Sequence, residues 1–134
     1  MKNAYVSKEQ VEAIAKEYPT PFYLYDEKGI RETARKLYKA FSWNPGFKEY
    51  FAIKATPNTA ILRILKEEGC GVDCSSKVEL TMAEACGFKG QEIMFSSNDT
   101  PEEEYIFARE QSLTWMIFPI LRKWKKPWES CPKP

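Results

Sequence analysis

Apolar residues recur along the first 110 residues at two spacings, one typical of helices and one of strands. From Val11 to Tyr18 they fall at intervals of three and four, which predicts an amphipathic helix that begins after Ser7. Comparable helical patterns follow four further N-cap residues: Asp26, Asn58, Ser76 and Thr100. Glycines are predicted to end the third and fourth helices: Gly69 and Gly87.

Short apolar runs between the helices predict strands at residues 21–26, 49–55, 70–75 and 92–96. The last three runs end near Lys54, Ser75 and Ser96, at an interval of 21 residues, and a helix follows each. This βα repeat with nearly continuous apolar strands is typical of a buried parallel sheet. Two α/β architectures fit it, a doubly wound sheet and a (β/α)8 barrel. Both place their chemistry at the carboxyl ends of the strands.

The composition removes several classes of site. The 134 residues include no histidine, which excludes Ser-His and Cys-His nucleophile pairs and every histidine-ligated metal site. The four cysteines form no CxxC pair, so we expect free thiols and no metal centre: Cys70, Cys74, Cys86 and Cys131. A spanning helix needs about 20 apolar residues, and no run of that length is present. With no signal-peptide pattern at the N-terminus, we expect a cytoplasmic protein without a membrane or nucleic-acid partner.

Polar residues at the predicted strand ends are the candidate chemistry. Lys54 closes an apolar strand, where desolvation would disfavour its charge and make the amine a better nucleophile for a carbonyl group. The alternative is a lysine that reaches the rim and pairs with Asp73 at the end of the next strand. The residues alone leave both interpretations open.

Four segments resemble, in order and spacing, the N-terminal motifs of the pyridoxal phosphate (PLP)-dependent decarboxylases of fold type III. YFAIKAT at 50–56 resembles their YAVKAN segment, and TPFYLYD at 20–26 resembles the TPFYVYD opening of diaminopimelate decarboxylases. GCGVDCSSKVEL at 69–80 and IMFSSNDTPEEE at 93–104 resemble two further segments of the family. The resemblance implies an α/β fold, a partial (β/α)8 barrel of the alanine-racemase type that stops after about three βα units.

The resemblance also implies the cofactor and its residues. Lys54 stands at the position of the lysine that forms a Schiff base with PLP, which makes it the candidate catalytic residue. Asp73 and Glu79 match acidic residues near the cofactor in related ornithine decarboxylases. Capping of its own helix is an equally good explanation of Glu79, and Asp73 is expected to pair with a buried cation. Two positions depart from the family pattern, with Thr56 in place of Asn and Ser97 in place of Gly.

The implied activity is decarboxylation of an amino-acid substrate, with diaminopimelate as the first candidate and a homodimer as the assembly of the full-length family. Ornithine, arginine or carboxynorspermidine decarboxylation and racemisation stay open, as does a non-catalytic PLP-binding fragment. The family's phosphate-binding loop and the glutamate that pairs with the pyridine nitrogen come from later barrel segments. We therefore expect this chain alone to be an inactive fragment.

The last residues differ in character from the rest. Residues 1–111 are assigned to the N-terminal part of a PLP-binding barrel, and residues 112–134 to a basic tail rich in tryptophan and proline, with no βα pattern. Back-translation of residues 114–129 in a shifted reading frame permits a strand end and an amphipathic helix closed by glycine. Our hypothesis is that the tail is a frameshift product, which the nucleotide sequence would test.

Overall fold

The computed structural model describes residues 4–97, 101–110 and 114–115. Within these ranges lie five α-helices: α1 Lys8–Glu17, α2 Glu27–Ala40, α3 Thr59–Glu67, α4 Lys77–Ala85 and α5 Glu102–Glu110. The same ranges hold four strands: β1 Tyr50–Ala52, β2 Gly71–Cys74, β3 Ile93–Phe95 and β4 Thr114–Trp115. Short 3-10 helices, Ile53–Ala55 and Gly90–Glu92, follow β1 and precede β3.

The four strands form one parallel sheet in the order β1-β2-β3-β4. Chain order and spatial order agree, with one helix in each connection. A doubly wound sheet reverses its strand order at a switch point, whereas a barrel adds each strand beside the previous one. The sequential order is the one that a barrel uses, and it agrees with the predicted partial barrel.

The two faces of the sheet differ in what covers them. On one face, the side chains of Val72, Cys74, Ile93 and Phe95 join a buried cluster with residues of α3 and α4. We call this the covered face. Alternation along the strands places Tyr50, Ala52, Asp73 and Met94 on the opposite side, which we call the open face. These four are only partly buried, and none belongs to a buried cluster of the described residues.

A second, smaller cluster holds α2 against α3. It consists of four buried residues: Ala34, Ile61, Leu65 and Cys70. Beside it, the Arg31 guanidinium contacts carboxylates of Glu67 and Glu68 at 2.6 and 3.0 Å, and Arg35 contacts Glu68 at 2.7 Å. Hydrogen bonds from these two arginines hold the pKa of Glu68 below its ordinary value. The helices are thus joined by an apolar stripe and an ionic border.

Most of the predicted helix ends are confirmed. Ser7 and Gln10 form the capping box of α1, and the Asn58 side chain accepts from the first amides of α3. Gly69 and Gly87 follow α3 and α4 with φ of 90° and 83°, a conformation that glycine adopts without steric cost.

Two expectations near the N-terminus are wrong. Residues 21–26 form no strand, because none of the described strands lies beside them, and the Tyr23 side chain is 89% exposed. Asp26 is the N-cap of α2 by position, but its side chain makes no capping hydrogen bond. It lies against Gly29 instead.

The predicted C-terminal boundary is mostly outside the described residues, as is the N-cap Thr100. Two residues of the tail are described: Thr114 and Trp115 form β4, in register with Met94 and Phe95. Pairing with β3, rather than local alternation, defines this strand, which the sequence pattern after residue 111 did not indicate. The frameshift origin of residues 112–134 stays a prediction.

Candidate functional site

Lys54 lies just beyond the carboxyl end of β1. The strand ends at Ala52 rather than at residue 55, and the 3-10 helix that follows turns Ile53 into the core, where it is 0% exposed. The next residue, Lys54, is exposed. Of the two interpretations that the sequence left open, the described structure shows a lysine at the rim and not a desolvated one. The 3-10 turn, rather than strand alternation, places Ile53 in the core and Lys54 at the surface.

Asp73 lies in β2, in register with Ala52 of β1 and Met94 of β3. Its Oδ1 accepts a hydrogen bond of 2.5 Å from the hydroxyl of Ser96, which directly follows β3. No lysine or arginine nitrogen of the described residues lies within 4.0 Å of its carboxylate. The expected pairing of Asp73 with a buried cation, or with Lys54, is therefore wrong for the described structure, because a neutral hydroxyl occupies that role.

Ser96 is a site residue whose role the sequence pattern did not reveal. Its amide donates to the carbonyl of Cys74 at 2.9 Å, which continues the ladder one residue beyond β3. Ser96 also lies two residues after Met94, the register partner of Asp73. That register, had it been known, would have indicated that the two side chains share a face.

The Glu79 carboxylate accepts hydrogen bonds at the start of its own helix, α4. It accepts from the amide of Ser75 at 2.9 Å and from the hydroxyls of Ser75 and Ser76 at 3.1 and 3.3 Å. Ser76 Oγ in turn accepts from the Glu79 amide at 3.4 Å. This geometry matches the capping explanation of Glu79, with Ser75 rather than Ser76 as the amide donor. Its role toward a cofactor stays a prediction.

The start of α4 receives a further carboxylate that the sequence pattern did not indicate. The amide of Lys77 donates to Glu104 Oε1 at 3.1 Å, which joins α5 to the N-terminus of α4. Helix N-termini attract anions through their free amides and their dipole. At α4 the Lys77 amide already meets the Glu104 carboxylate, and the Glu79 amide meets the Ser76 hydroxyl.

The described cysteines are free, as expected, and all three are buried: Cys70, Cys74 and Cys86. Burial raises the pKa of Cys74 to about 12, and the neighbouring carboxylates of Glu79 and Asp73 act in the same direction. Such a thiol is a poor nucleophile. The described ranges contain no group of His, Cys, Asp and Glu residues that could hold a metal ion. None of their helices is long and apolar enough to cross a membrane.

The carboxyl edge of the sheet therefore carries an exposed primary amine, a carboxylate held by a hydroxyl, and a capped turn. The three segments that contribute them were predicted to lie side by side, and the parallel pairing of β1, β2 and β3 confirms this. An unpaired amine can add to a carbonyl group, and a nearby carboxylate supplies fixed negative charge. This is the edge at which parallel α/β folds place their chemistry.

Comparison with known proteins identifies the domain. Residues 27–125 match the family model described as pyridoxal-dependent decarboxylase, pyridoxal binding domain. Protein TabA from Pseudomonas amygdali pv. tabaci is 50% identical over 91 residues, which cover 68% of this chain and 21% of that protein. The diaminopimelate decarboxylase of Methanothermobacter thermautotrophicus is 41% identical over 101 residues, which cover 75% of this chain and 24% of that protein.

A solved structure shows the same fold. The diaminopimelate decarboxylase of M. jannaschii, in a complex with L-lysine, matches with a TM-score of 0.73 and 30% identity. The match covers 80% of this chain and 26% of that one, so the chain spans about a quarter of the length of the relatives it matches. The family model also extends past residue 111, at which the sequence motifs above stop. The chain belongs to the pyridoxal-dependent decarboxylases and corresponds to part of the pyridoxal binding domain of that family.

Proposed function

We propose that this domain serves the PLP-dependent decarboxylation of an amino acid, with Lys54 as the residue that holds the cofactor. The exposed amine of Lys54, at the carboxyl edge of a sheet that matches a pyridoxal binding domain, carries the proposal. The activity is that of the protein in which this domain works, because the chain spans about a quarter of its relatives.

The chemistry of the donor set fits part of the cofactor. An aldehyde needs a primary amine, and none of the ion pairs or hydrogen bonds among the described residues involves Lys54 Nζ. A phosphate needs free amides or cations. The first amides of α3 are bonded to Asn58. At α4 the Lys77 amide donates to the Glu104 carboxylate and the Glu79 amide to the Ser76 hydroxyl, so these bonded amides do not supply a phosphate site. The described residues therefore fit the aldehyde end of the group.

Each residue of the edge has a separate task in this proposal. Pyridoxal phosphate, when bound, supplies an electron sink for the electron pair left behind by departing CO2. The Lys54 amine would hold the cofactor through its aldehyde, and once released it could return a proton from Nζ. Asp73 provides negative charge at the same edge of the sheet. Glu79 fixes the turn after β2 through Ser75 and Ser76, so that Asp73 keeps its position.

The substrate class that we propose is meso-diaminopimelate, converted to lysine and CO2. The support is the set of diaminopimelate decarboxylases among the relatives, at 41% and 36% identity. A relative that decarboxylates an L-glutamyl group on an acyl-carrier protein is 31% identical, so activity assays include glutamate derivatives. We further propose a cytoplasmic homodimer for the protein that contains this domain.

Borohydride trapping tests the role of Lys54. The amine attacks the aldehyde carbon of PLP, water leaves with the carbonyl oxygen, and hydride then reduces the resulting carbon–nitrogen double bond to a stable amine. Mass mapping of the peptides measures which lysines carry the pyridoxyl group. We expect Lys54 to label well above Lys89, another exposed lysine, and the preference to vanish in Lys54→Arg. Equal labelling of the two lysines in the unaltered chain would contradict the proposal.

Release of CO2 from carboxyl-labelled substrates then tests the activity. Diaminopimelate, ornithine, lysine and arginine are compared with the glutamyl derivative. Lys54→Ala is the matched control. For the 134-residue chain alone we expect no release above that control. Release that depends on Lys54 would show that the chain is an active enzyme by itself, and the favoured substrate would give its specificity.

A further inference from the structure

Opposite charges at the carboxyl edge stay apart. Asp73 is in register with Ala52, and Lys54 follows Ala52 by two residues, yet the two charged groups are more than 4.0 Å apart. Elsewhere in the described structure, oppositely charged side chains form ion pairs, as Arg31 does with Glu68 and Lys66 with Glu92. The carboxyl edge thus places a lysine and an aspartate on adjoining segments without an ion pair between them among the described residues.

Ser96 is the group that engages Asp73. Its hydroxyl donates to Asp73 Oδ1, and a hydrogen bond to a charged carboxylate is among the stronger kinds of hydrogen bond. The backbone of Ser96 is itself held, through its amide, by the carbonyl of Cys74. Both side chains are half-buried, so water competes less for the bond than it would on a fully exposed surface.

The other carboxylate at this edge is already engaged. Glu79 accepts hydrogen bonds from the Ser75 amide and from two hydroxyls, which tie it to the turn before α4. Loss of the Ser96 hydroxyl would thus free Asp73 rather than Glu79. A freed Asp73 would have Lys54 as an exposed cation on the neighbouring segment.

We propose that Ser96 is a positioning residue that holds Asp73 away from Lys54 and so keeps the amine available to an aldehyde. An ammonium group paired with a carboxylate is not a nucleophile, because its electron pair carries the proton. The hydroxyl thus retains a negative charge close to the reacting nitrogen without letting the two form a salt bridge. This inference rests on the proposed function of Lys54.

The test treats the full chain with PLP and borohydride. The measured quantity is the labelling ratio, which is the labelling of Lys54 divided by that of Lys89. Ser96→Ala and Ser96→Val remove the hydroxyl, and we expect each to lower the ratio about two- to fivefold, the worth of an exposed ion pair. Ser96→Thr keeps the hydroxyl and should retain the ratio of the unaltered chain. Valine and threonine have nearly the same shape, so this pair separates the hydroxyl from packing.

Two further arms distinguish positioning from a general structural effect. Ser96→Ala combined with Asp73→Asn should raise the ratio above that of Ser96→Ala alone, because the amide of asparagine cannot pair with an ammonium as a carboxylate does. Added salt should also reduce the deficit of Ser96→Ala, since screening weakens an exposed pair. Thr81→Ala removes a hydroxyl that bonds the Lys77 carbonyl within α4, and it should leave the ratio unchanged.

The two proposals fail in different ways. A ratio near one in the unaltered chain contradicts the role of Lys54 and with it the inference that depends on that role. If Ser96→Val keeps the high ratio of the unaltered chain, the positioning role of Ser96 is overturned and the proposed function is intact. The same holds if the ratio of the double variant is as low as that of Ser96→Ala.

Discussion

The two faces of the sheet carry different kinds of side chain and serve different ends. The covered face is apolar throughout and joins helices α3 and α4 in the larger buried cluster. The open face carries Asp73, with Ser96 just beyond β3, and its side chains stay partly exposed. Strand alternation therefore separates the residues that stabilise the domain from those that can meet a ligand.

The chemical state of neighbouring residues follows this division. Cys74 lies on the covered face, and burial raises its pKa to about 12, so the thiol stays protonated near neutral pH. Asp73, the preceding residue, lies on the open face and is bonded to a hydroxyl. A shift of one residue along β2 thus separates a thiol that is inert from a carboxylate that can act on a ligand.

The largest expected effect comes from truncation on the covered face. Phe95→Ala should lower the free energy of unfolding by about 3–5 kcal/mol, through lost burial and the cavity left behind. Met94→Ala is the matched control on the open face, and it should cost about 1 kcal/mol because the methionine is only partly buried. Urea unfolding followed by circular dichroism measures both. Equal losses would break the distinction between the faces.

A smaller effect sharpens the description of the open face. A Cβ added at Gly71 would lie 2.6 Å from the Tyr50 ring and 2.6 Å from the backbone oxygen of Glu92. Gly71→Ala should therefore destabilise the domain by about 1–3 kcal/mol. Gly46→Ala, whose added atom meets only the Asn44 side chain at 3.5 Å, should stay within about 0.5 kcal/mol.

If Gly71→Ala proves neutral in the same urea unfolding, the Tyr50 ring can move aside and the open face is loosely packed along its whole length. The expected loss would instead show that the amino end of this face is closed by Tyr50, whose hydroxyl donates to the Gln91 carbonyl at 2.8 Å. Only the carboxyl end would then be free for a ligand.

The smallest effect concerns the ionic border behind the covered face. Hydrogen bonds from Arg35 and Arg31 lower the pKa of Glu68 in the folded chain, so the unfolded state binds its proton first as the pH falls. The contribution to stability is fully present above the unfolded pKa of about 4.3 and is lost as the pH falls through the lower folded pKa. Glu68→Gln should make stability less dependent on pH in this acid range.

Unfolding by urea at several pH values from 6 down to about 3 measures this dependence. Glu12→Gln, in an exposed pair with Lys8 at 3.7 Å on α1, is the matched control and should leave the pH dependence nearly unchanged. An unaltered acid dependence in Glu68→Gln would mean that the border between α2 and α3 adds nothing to stability.

Local signals in the sequence were enough for the helices and for the parallel repeat. Ser7, Asn58 and Gly87 act within a few residues of themselves, so their roles could be predicted without the rest of the chain. The run at 21–26 has strand composition, but no described strand lies beside it. A strand requires a neighbour as well as suitable residues.

The same limit explains what was missed at the candidate site. Lys54 was placed at the correct edge by the spacing of the repeat, but the 3-10 turn that exposes it depends on how Ile53 packs. The partner of Asp73 is 23 residues away, and only the register of β2 with β3 brings Ser96 beside it. Contacts across strands depend on register, which a single sequence does not state.

The carboxylates of Glu79 and Glu104 at the start of α4 give the edge a polarity of its own. An anionic group of an elongated ligand meets two carboxylates there, whereas at the other side of the edge the positive charge of Lys54 offsets the single carboxylate of Asp73. Such a molecule therefore has a preferred orientation along this edge, with its anionic end directed away from α4.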